Sequence, residues 1–306
     1  MEFLGFLQSI RTPVGDFLMA LITHLGEELL FMAVGLIFLW CIDKKRGYYI
    51  LFAGFTGTVL TQFLKITFRI PRPWVLDPNF SIVEEARLEA TGYSFPSGHT
   101  QSATTLYGGI ARSERRHKWI FWSSIAAVVL VAFSRMYLGV HTLLDVGVAL
   151  AIGAVLVFVL YPLMMKEHKT PWVMYATLGV ILLVTLGNLL YVELFRFPAD
   201  IDPENFESAV SNAWKMLGVV IGMCILYPVE SNLIKYDVHA VWWVQIIKLV
   251  GGLIPVVLIK SLLKAPINAL FGDSVGNCVR YLIIVLFAGL VWPLTFRFWK
   301  KLGERR

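Results

Sequence analysis

Long apolar stretches, separated by short polar or basic segments, recur along the whole chain. Most of them approach or exceed the roughly 20 residues that an α-helix needs to cross the hydrocarbon layer of a bilayer. They lie at about residues 27–42, 47–67, 98–112, 119–134, 141–164, 172–193, 209–228, 239–263 and 281–298. The pattern predicts an all-α protein, a polytopic membrane helical bundle.

The first 26 residues follow a different pattern. Apolar side chains form one face of a short segment that also carries polar positions, at Phe3, Leu4, Phe6, Leu7 and Ile10. Such a segment is typical of an amphipathic helix that lies in the membrane interface. It has no basic region ahead of a longer apolar core, so we do not expect a cleaved signal peptide.

The composition agrees with a membrane protein. Hydrophobic residues make up 57% of the chain, charged residues make up 16%, and the mean hydropathy is +0.69. Soluble domains carry about 25% charged residues. The net charge is +6, but the basic residues fall in short clusters between apolar stretches, which is typical of membrane orientation. We therefore predict no nucleic-acid partner.

The basic clusters also predict which way the chain faces. With the spans given above, four clusters share one side, which the positive-inside rule places in the cytoplasm. These clusters are residues 44–46, 112–118, 166–169 and 297–306. The loops at 68–97, 135–141 and 192–208 then face outward together. This prediction, for a multi-pass protein of the cell membrane, requires an odd number of spans between residues 27 and 166.

Two groups of polar residues lie at the outer ends of predicted spans. Lys65 and Arg72 are seven residues apart, or two helical turns, so on one helix both cations point the same way. Two cations at a membrane face favour a bound anion. The alternative, for this group alone, is a pair of side chains that snorkel to the interface. Ser97-Gly98-His99 enters the next span, where backbone N–H groups of a helix N-terminus bind anions. The simpler alternative is a turn with an N-cap serine.

A third group combines an arginine, a histidine and an aspartate. Arg135 precedes His141 by six residues, and Asp145 follows it by four. If a helix begins near His141, the histidine and Asp145 share a face. The carboxylate then fixes the tautomer of the imidazole and makes its free nitrogen more basic. The alternative for this group alone is a polar pair that caps a helix end.

Taken together, the three groups contain the parts of a phosphoryl-transfer site. One lysine, two arginines, a hydroxyl and backbone N–H groups suit the charged oxygens of a phosphoryl group. One histidine can attack phosphorus while the other protonates the leaving alcohol. Cys41, Cys224 and Cys278 are far apart and no metal-ligand spacing occurs, so we expect neither a metal nor a cofactor.

The spacing of these residues resembles the signature of a known family. Lys65-x6-Arg72-Pro73, then Pro96-Ser97-Gly98-His99, then Ser134-Arg135-x5-His141-x3-Asp145 is similar to the three-part signature of the type 2 phosphatidic acid phosphatase (PAP2) superfamily. Every signature position matches. The part of the chain that carries the resemblance covers about residues 27–165.

The resemblance implies a role for each of these residues. It implies that His141 is the nucleophile that forms a phosphohistidine, that Asp145 orients it, and that His99 is the general acid. It further implies a phosphate-binding set made of Lys65, Arg72, Arg135, Ser97 and the Gly98 amide. Members of this family are typically metal-independent, which agrees with the missing metal-ligand spacing.

The predicted protein is an integral membrane lipid phosphatase. It would hydrolyse a phosphate monoester or diphosphate of a lipid at the outer membrane face, among surrounding membrane lipids. The candidate substrates are phosphatidic acid, phosphatidylglycerol phosphate, a polyprenyl phosphate or diphosphate, and a sphingoid base phosphate. We expect an interfacial N-terminal helix over 1–26, a PAP2-like catalytic core over 27–169, and additional transmembrane helices over 170–306. Those additional helices have three open roles: shaping a groove for the lipid tail, holding a homo-oligomer together, or packing.

Other functions fit the same sequence. A lipid phosphotransferase would use the same histidine and differ only in what attacks the phosphohistidine. A soluble phosphorylated sugar is a further substrate to consider. A transporter of anionic lipids draws support from Lys215, Lys248 and Lys260, because cations within spans are costly and often functional. Snorkelling near span ends explains Lys215 and Lys260, which leaves Lys248 as the main support for transport.

Overall fold

A computed structural model of the chain describes residues 1–87, 90–165 and 172–304, which form helices and connecting turns with no strand. Within these residues, seven helices are long and apolar enough to cross a membrane, and up to eight if one bent pair counts as a span. The predicted all-α membrane fold is confirmed. The basic cluster at 166–169, the predicted boundary at residue 169 and Arg305-Arg306 lie outside the described residues.

Fifteen α-helices follow one another in the described part of the chain. Their bounds are α1 Glu2–Ser9, α2 Pro13–Thr23, α3 Glu28–Ile37, α4 Lys44–Phe68, α5 Pro73–Leu76, α6 Gly98–Ser113, α7 Lys118–Tyr137, α8 Leu143–Met165, α9 Trp172–Leu194, α10 Pro203–Val229, α11 Trp242–Leu262, α12 Lys264–Phe271, α13 Asp273–Leu286, α14 Trp292–Leu294 and α15 Phe296–Glu304. π-Helical turns extend α3, α10 and α13, at Phe38–Ile42, Glu230–Ile234 and Phe287–Val291.

The chain divides into two compact units, and each is assembled from several stretches. The first unit contains Met1–Met32, Ile50–Pro162 and Arg196–Ala209, and the second contains Ala33–Tyr49, Leu163–Phe195 and Val210–Arg306. All the predicted site residues belong to the first unit. These divisions differ from the three predicted regions, because the N-terminal residues and a segment after α9 both pack with the predicted core.

The region 1–26 contains two helices rather than the single interfacial helix predicted. Thr12 caps α2, since its Oγ1 accepts a hydrogen bond from Gly15 N at 3.1 Å, and Pro13 begins that helix with the backbone angle it needs. A 3₁₀ turn at His24–Gly26 then leads into α3. The two helices bend by 50° where they join, and together they are long and apolar enough to form a broken span or a re-entrant loop.

Four helix ends meet in the first unit and position the site. They are the C-terminal ends of α4 and α7 and the N-terminal ends of α6 and α8. Only five residues, 138–142, join α7 to α8, and Gly139 in this turn has a φ of +82°, which favours glycine. The loops predicted to face outward at 68–97 and 135–141 therefore lie at the same end of this unit.

Candidate active site

Lys65 and Arg72 do not share a helix, so the predicted helical spacing of this pair is wrong. α4 ends at Phe68, and Arg69 has a φ of +49°. Pro71 and Pro73 lack the N–H groups that a continuing helix needs. The side chains of Lys65 and Arg72 are nevertheless both buried in the first unit.

Backbone carbonyl groups hold the guanidinium of Arg72 in place. Its Nε donates to Gly92 O at 3.1 Å and its Nη2 donates to Thr91 O at 2.8 Å. Its Nη1 donates to Val140 O at 3.0 Å and lies 3.0 Å from Nε2 of His141. A guanidinium only donates hydrogen bonds, so Nε2 is the acceptor and its lone pair points at Arg72.

Asp145 does not form a direct hydrogen bond with His141, and a serine hydroxyl lies near both side chains. The Asp145 Oδ2 atom is 3.6 Å from His141 Nδ1, which is too long for a hydrogen bond. Ser94 Oγ donates to Asp145 Oδ2 at 2.6 Å and lies 3.5 Å from His141 Nδ1. The hydroxyl of Ser94 is therefore the group that connects the carboxylate with the imidazole.

The Asp145 carboxylate also caps α8. This helix begins at Leu143, after His141, so the predicted sharing of one helix face does not occur. Thr142 N donates to Asp145 Oδ2 at 2.7 Å, and Asp145 N donates to Thr142 Oγ1 at 3.3 Å. This reciprocal pair is a capping box. The alternative that Asp145 caps a helix is thus correct for the local structure, and the same carboxylate supports the histidine.

Sequence reasoning missed Ser94. The side chain is fully buried, its backbone N–H donates to Ile70 O at 2.8 Å, and its carbonyl accepts from Lys65 Nζ at 3.5 Å. Its main partner, Asp145, lies 51 residues further along the chain. The sequence places Ser94 three residues before Ser97, close to a predicted motif. No local pattern, however, reveals a hydrogen-bond partner that is 51 residues away.

The N-terminus of α6 carries Ser97, Gly98 and His99. Ser97 Oγ caps this helix by accepting from Thr100 N at 3.4 Å and from Thr100 Oγ1 at 3.0 Å. Its backbone N–H donates to Asp145 O at 3.1 Å, which ties α6 to α8. A Cβ atom on Gly98 would meet nothing within 4 Å. Packing within the protein therefore does not account for the glycine.

Two further cations, Lys65 and Arg135, lie near Arg72 in the first unit. Lys65 Nζ donates to Tyr93 O. Arg135, at the end of α7, is fully buried, and its Nη1 donates to Thr23 Oγ1 at 2.7 Å. The charges of Arg72, Asp145 and Arg135 all act on Lys65. The three predicted phosphate-binding cations are therefore near one another, although they come from distant parts of the chain.

The electrostatic environment keeps His141 neutral. Burial lowers the pKa of His141 well below its ordinary value, and the positive charges of Arg72, Arg135, Lys65 and His99 lower that pKa further. Neutral imidazole is the form that has a lone pair on nitrogen. The site thus combines excess positive charge with a histidine that is chemically able to attack phosphorus.

Lys248 has partners within the second unit. Its Nζ donates to Asp237 O at 3.3 Å and to Val238 O at 2.9 Å, and it lies 4.7 Å from the centre of the Phe296 ring. These contacts satisfy the cation by carbonyl groups and an aromatic face. They give Lys248 a structural role and remove the main support for a transporter.

The family of this chain follows from comparison with known proteins. The model of the PAP2 superfamily matches residues 46–169, and the model described as PAP2 superfamily phosphatase, transmembrane extension, matches residues 214–305. The chain belongs to the PAP2 superfamily, as the resemblance of its three motifs implied. No solved structure matches the chain.

Several relatives carry names that state an activity. Phosphatidylglycerophosphatase B of Bacillus subtilis is 30% identical over 164 residues, which are 49% of this chain and 75% of that protein. Undecaprenyl-diphosphatase of Sulfolobus acidocaldarius is 28% identical over 139 residues, or 45% of this chain and 65% of that protein. Sphingosine-1-phosphate phosphatase 1 of Mus musculus is 25% identical over 195 residues, or 60% of this chain and 42% of that protein. These members of the family are lipid phosphatases, hydrolases of phosphate esters.

Proposed function

We propose that this protein is an integral membrane lipid phosphatase that hydrolyses a phosphate monoester or diphosphate of a lipid through a phosphohistidine on His141. One observation carries the proposal. The Nε2 lone pair of a neutral, buried imidazole points at a guanidinium that three backbone carbonyl groups hold in place. A phosphate is the group that a nucleophile and an arginine would both contact in this arrangement.

The first half of the reaction transfers the phosphoryl group to the protein. Phosphate oxygens replace His141 Nε2 as the partner of Arg72, while Lys65 and Arg135 bind the remaining charge. Nε2 attacks phosphorus, so that a nitrogen–phosphorus bond forms and the bond to the lipid oxygen breaks. His99 gives its proton to that oxygen, and the lipid leaves as an alcohol.

The second half of the reaction releases phosphate. His99, now neutral, takes a proton from a water molecule as the water attacks the phosphohistidine. The nitrogen–phosphorus bond breaks, and inorganic phosphate leaves. Throughout, Asp145 and Ser94 hold the Nδ1 side of His141, which stabilises the positive imidazole ring that carries phosphorus.

We infer that the site faces outward and that the substrate is a membrane lipid. The basic residues 112–118 lie where α6 ends and α7 begins, at the helix ends opposite to the site. The positive-inside rule assigns those ends to the cytoplasm. A lipid head group at the outer leaflet can then reach the site while its tail stays in the bilayer.

Phosphate release by the purified protein tests the proposal. Wild type, His141→Ala and His117→Ala are incubated with each of the four lipid classes in the presence of EDTA. His117 is an exposed histidine outside the site and serves as the matched control. We expect release by wild type and His117→Ala, and a loss of about 10⁴-fold or more in His141→Ala, as in other enzymes that lose a nucleophile. Phosphorylated acceptor without free phosphate would instead indicate a phosphotransferase, and the absence of both products would refute the proposal.

A further inference from the structure

A segment that neither family model matches packs against the catalytic unit. We call residues 196–209 the outer segment. They lie between the two matches at 46–169 and 214–305, and they belong to the first compact unit. The guanidinium of Arg69 lies 5.9 Å from the centre of the Phe197 ring. The backbone and the carboxylate of Asp202 both affect the pKa of the Tyr93 hydroxyl, so these two residues are neighbours. Residues outside both matches therefore pack with the unit that carries the proposed site.

The outer segment forms one wall of a cavity of about 700 Å³. Ligand cavities commonly have volumes of roughly 300–1,000 Å³, so this one can hold a lipid head group. The other wall is the loop around Arg72. The charged side chains that line the cavity are Arg69, Arg72, Arg87, Asp200, Asp202 and Glu204.

This cavity is adjacent to the proposed phosphate site. Arg72 lines it, and Nη1 of Arg72 is 3.0 Å from His141 Nε2. Thr91 and Gly92 line it as well, and their carbonyl groups hold the same guanidinium. A lipid whose phosphate is bound by Arg72 would therefore have room for a neighbouring polar group in this cavity.

If Arg72 binds the phosphate of the substrate, the rest of the described lining of the cavity has three carboxylates and two arginines. The two arginines, Arg69 and Arg87, line the cavity together with the three carboxylates, Asp200, Asp202 and Glu204. Asp202 caps α10, because its Oδ1 accepts from Asn205 N at 2.8 Å. Asp200 and Glu204 have no such capping bond among the described residues and are exposed. These two carboxylates are therefore the ones suited to receive hydrogen bonds from a ligand.

We propose that this cavity is a second subsite, which binds the polar group next to the scissile phosphate. Its carboxylates select a lipid phosphate monoester that carries a hydrogen-bond donor, either an ammonium or a hydroxyl group, over a lipid diphosphate. A donor forms charge-assisted hydrogen bonds with Asp200 and Glu204, whereas a second phosphate meets like charge. The inference rests on the proposed phosphatase function.

A comparison of four lipids tests the wild-type preference. A sphingoid base phosphate offers an ammonium group, and phosphatidylglycerol phosphate offers a hydroxyl group between its terminal phosphate and its phosphodiester. Phosphatidic acid offers neither donor, and a polyprenyl diphosphate places a second phosphate directly next to the first. We expect kcat/KM for the two donor-bearing lipids to exceed that for phosphatidic acid by roughly tenfold, as for a hydrogen bond to a charged group. The diphosphate should be the poorest substrate. Equal values for all four would overturn the inference while leaving the phosphatase function intact.

Two variants and a control then test the residues. The double variant Asp200→Asn, Glu204→Gln should reduce the preference for donor-bearing lipids over phosphatidic acid by about the same tenfold. Asp200→Lys should raise the relative rate with the diphosphate. Glu207→Gln, in the same segment but outside the cavity lining, should leave both ratios unchanged. Unaltered ratios in the first two variants would overturn the subsite, and no phosphate release from any lipid by wild type would overturn the phosphatase function with it.

Discussion

Single residues in the site keep positive charge available for a ligand. Lys65 and Arg72 are buried and donate to backbone carbonyl groups at Tyr93, Gly92, Thr91 and Val140. Carbonyl groups satisfy the hydrogen bonds of a cation without cancelling its charge. Among the described residues, Lys65, Arg72 and Arg135 share one nearby carboxylate, that of Asp145. Buried charge that is not fully balanced is costly. Binding of a phosphate dianion would offset this cost, which explains why the site would favour anions.

Removal of the Ser94 hydroxyl should slow turnover and change substrate affinity little. Ser94→Ala deletes a 2.6 Å hydrogen bond to Asp145, and hydrogen bonds to charged groups contribute roughly 1.5–3 kcal/mol. We expect kcat to fall by about 10–100-fold while KM stays near the wild-type value, because Ser94 supports the imidazole and not the phosphate. Ser124→Ala, a buried serine of α7, is the control. A kcat within twofold of wild type would remove Ser94 from the site.

The lowered pKa of His141 predicts the acid side of the pH profile. His141 must be neutral to attack phosphorus, and its pKa is depressed. As pH falls, the residue therefore stays neutral below about 6.5, the ordinary histidine value, and activity is lost only at lower pH. The measurement is kcat/KM against pH, corrected for ionisation of the substrate phosphate. If the acid side of the profile were controlled by an enzyme group whose pKa is at or above about 6.5, His141 would not be the neutral nucleophile.

At the scale of elements, helices from outside the three motifs support the site. α2 ends at Thr23, whose hydroxyl accepts from Arg135. A Cβ atom on Gly26 would come within 2.9 Å of His99 O, so glycine permits the close approach of this turn to α6. The N-terminal region therefore helps to position two proposed site residues.

Loss of the Thr23 hydroxyl should weaken substrate binding. Thr23→Val keeps the shape of the side chain and leaves a buried N–H of Arg135 without this acceptor, at a cost of about 1–3 kcal/mol. We expect KM to rise by roughly tenfold. Thr177→Val is the control, because the Thr177 hydroxyl bonds only to Val173 O of its own helix among the described contacts. Equal KM values for the two variants would exclude a role for α2 in phosphate binding.

Local patterns in the sequence predicted the helices well and their contacts less well. The spans predicted at 119–134 and 172–193 are α7, Lys118–Tyr137, and α9, Trp172–Leu194, because apolar length is a local property. The motif residues could be found because their spacing is also local. The place of Arg72 beyond the end of α4, and the contact of Ser94 with Asp145, depend on how distant segments pack, which no local pattern records.

For the whole molecule, the orientation in the membrane is the main prediction. Asn79 lies in the loop on the site end of the first unit, and Arg116 lies in the basic turn between α6 and α7. A membrane-impermeant thiol reagent added to intact cells should label Asn79→Cys and leave Arg116→Cys unlabelled until the membrane is opened. The native cysteines, Cys41, Cys224 and Cys278, are first replaced by serine. The opposite labelling would place the site in the cytoplasm.

The most direct test of the central claim is to trap the phosphorylated protein. Wild type and His141→Ala are mixed with a lipid phosphate labelled in its phosphoryl group, quenched in alkaline denaturant within the first turnovers, and mapped by mass spectrometry. Alkaline conditions preserve a phosphohistidine, which acid would hydrolyse. We predict label on the wild-type peptide that contains His141 and none on the variant. Label on His99, or turnover by wild type with no labelled peptide at any quench time, would contradict a phosphohistidine at His141.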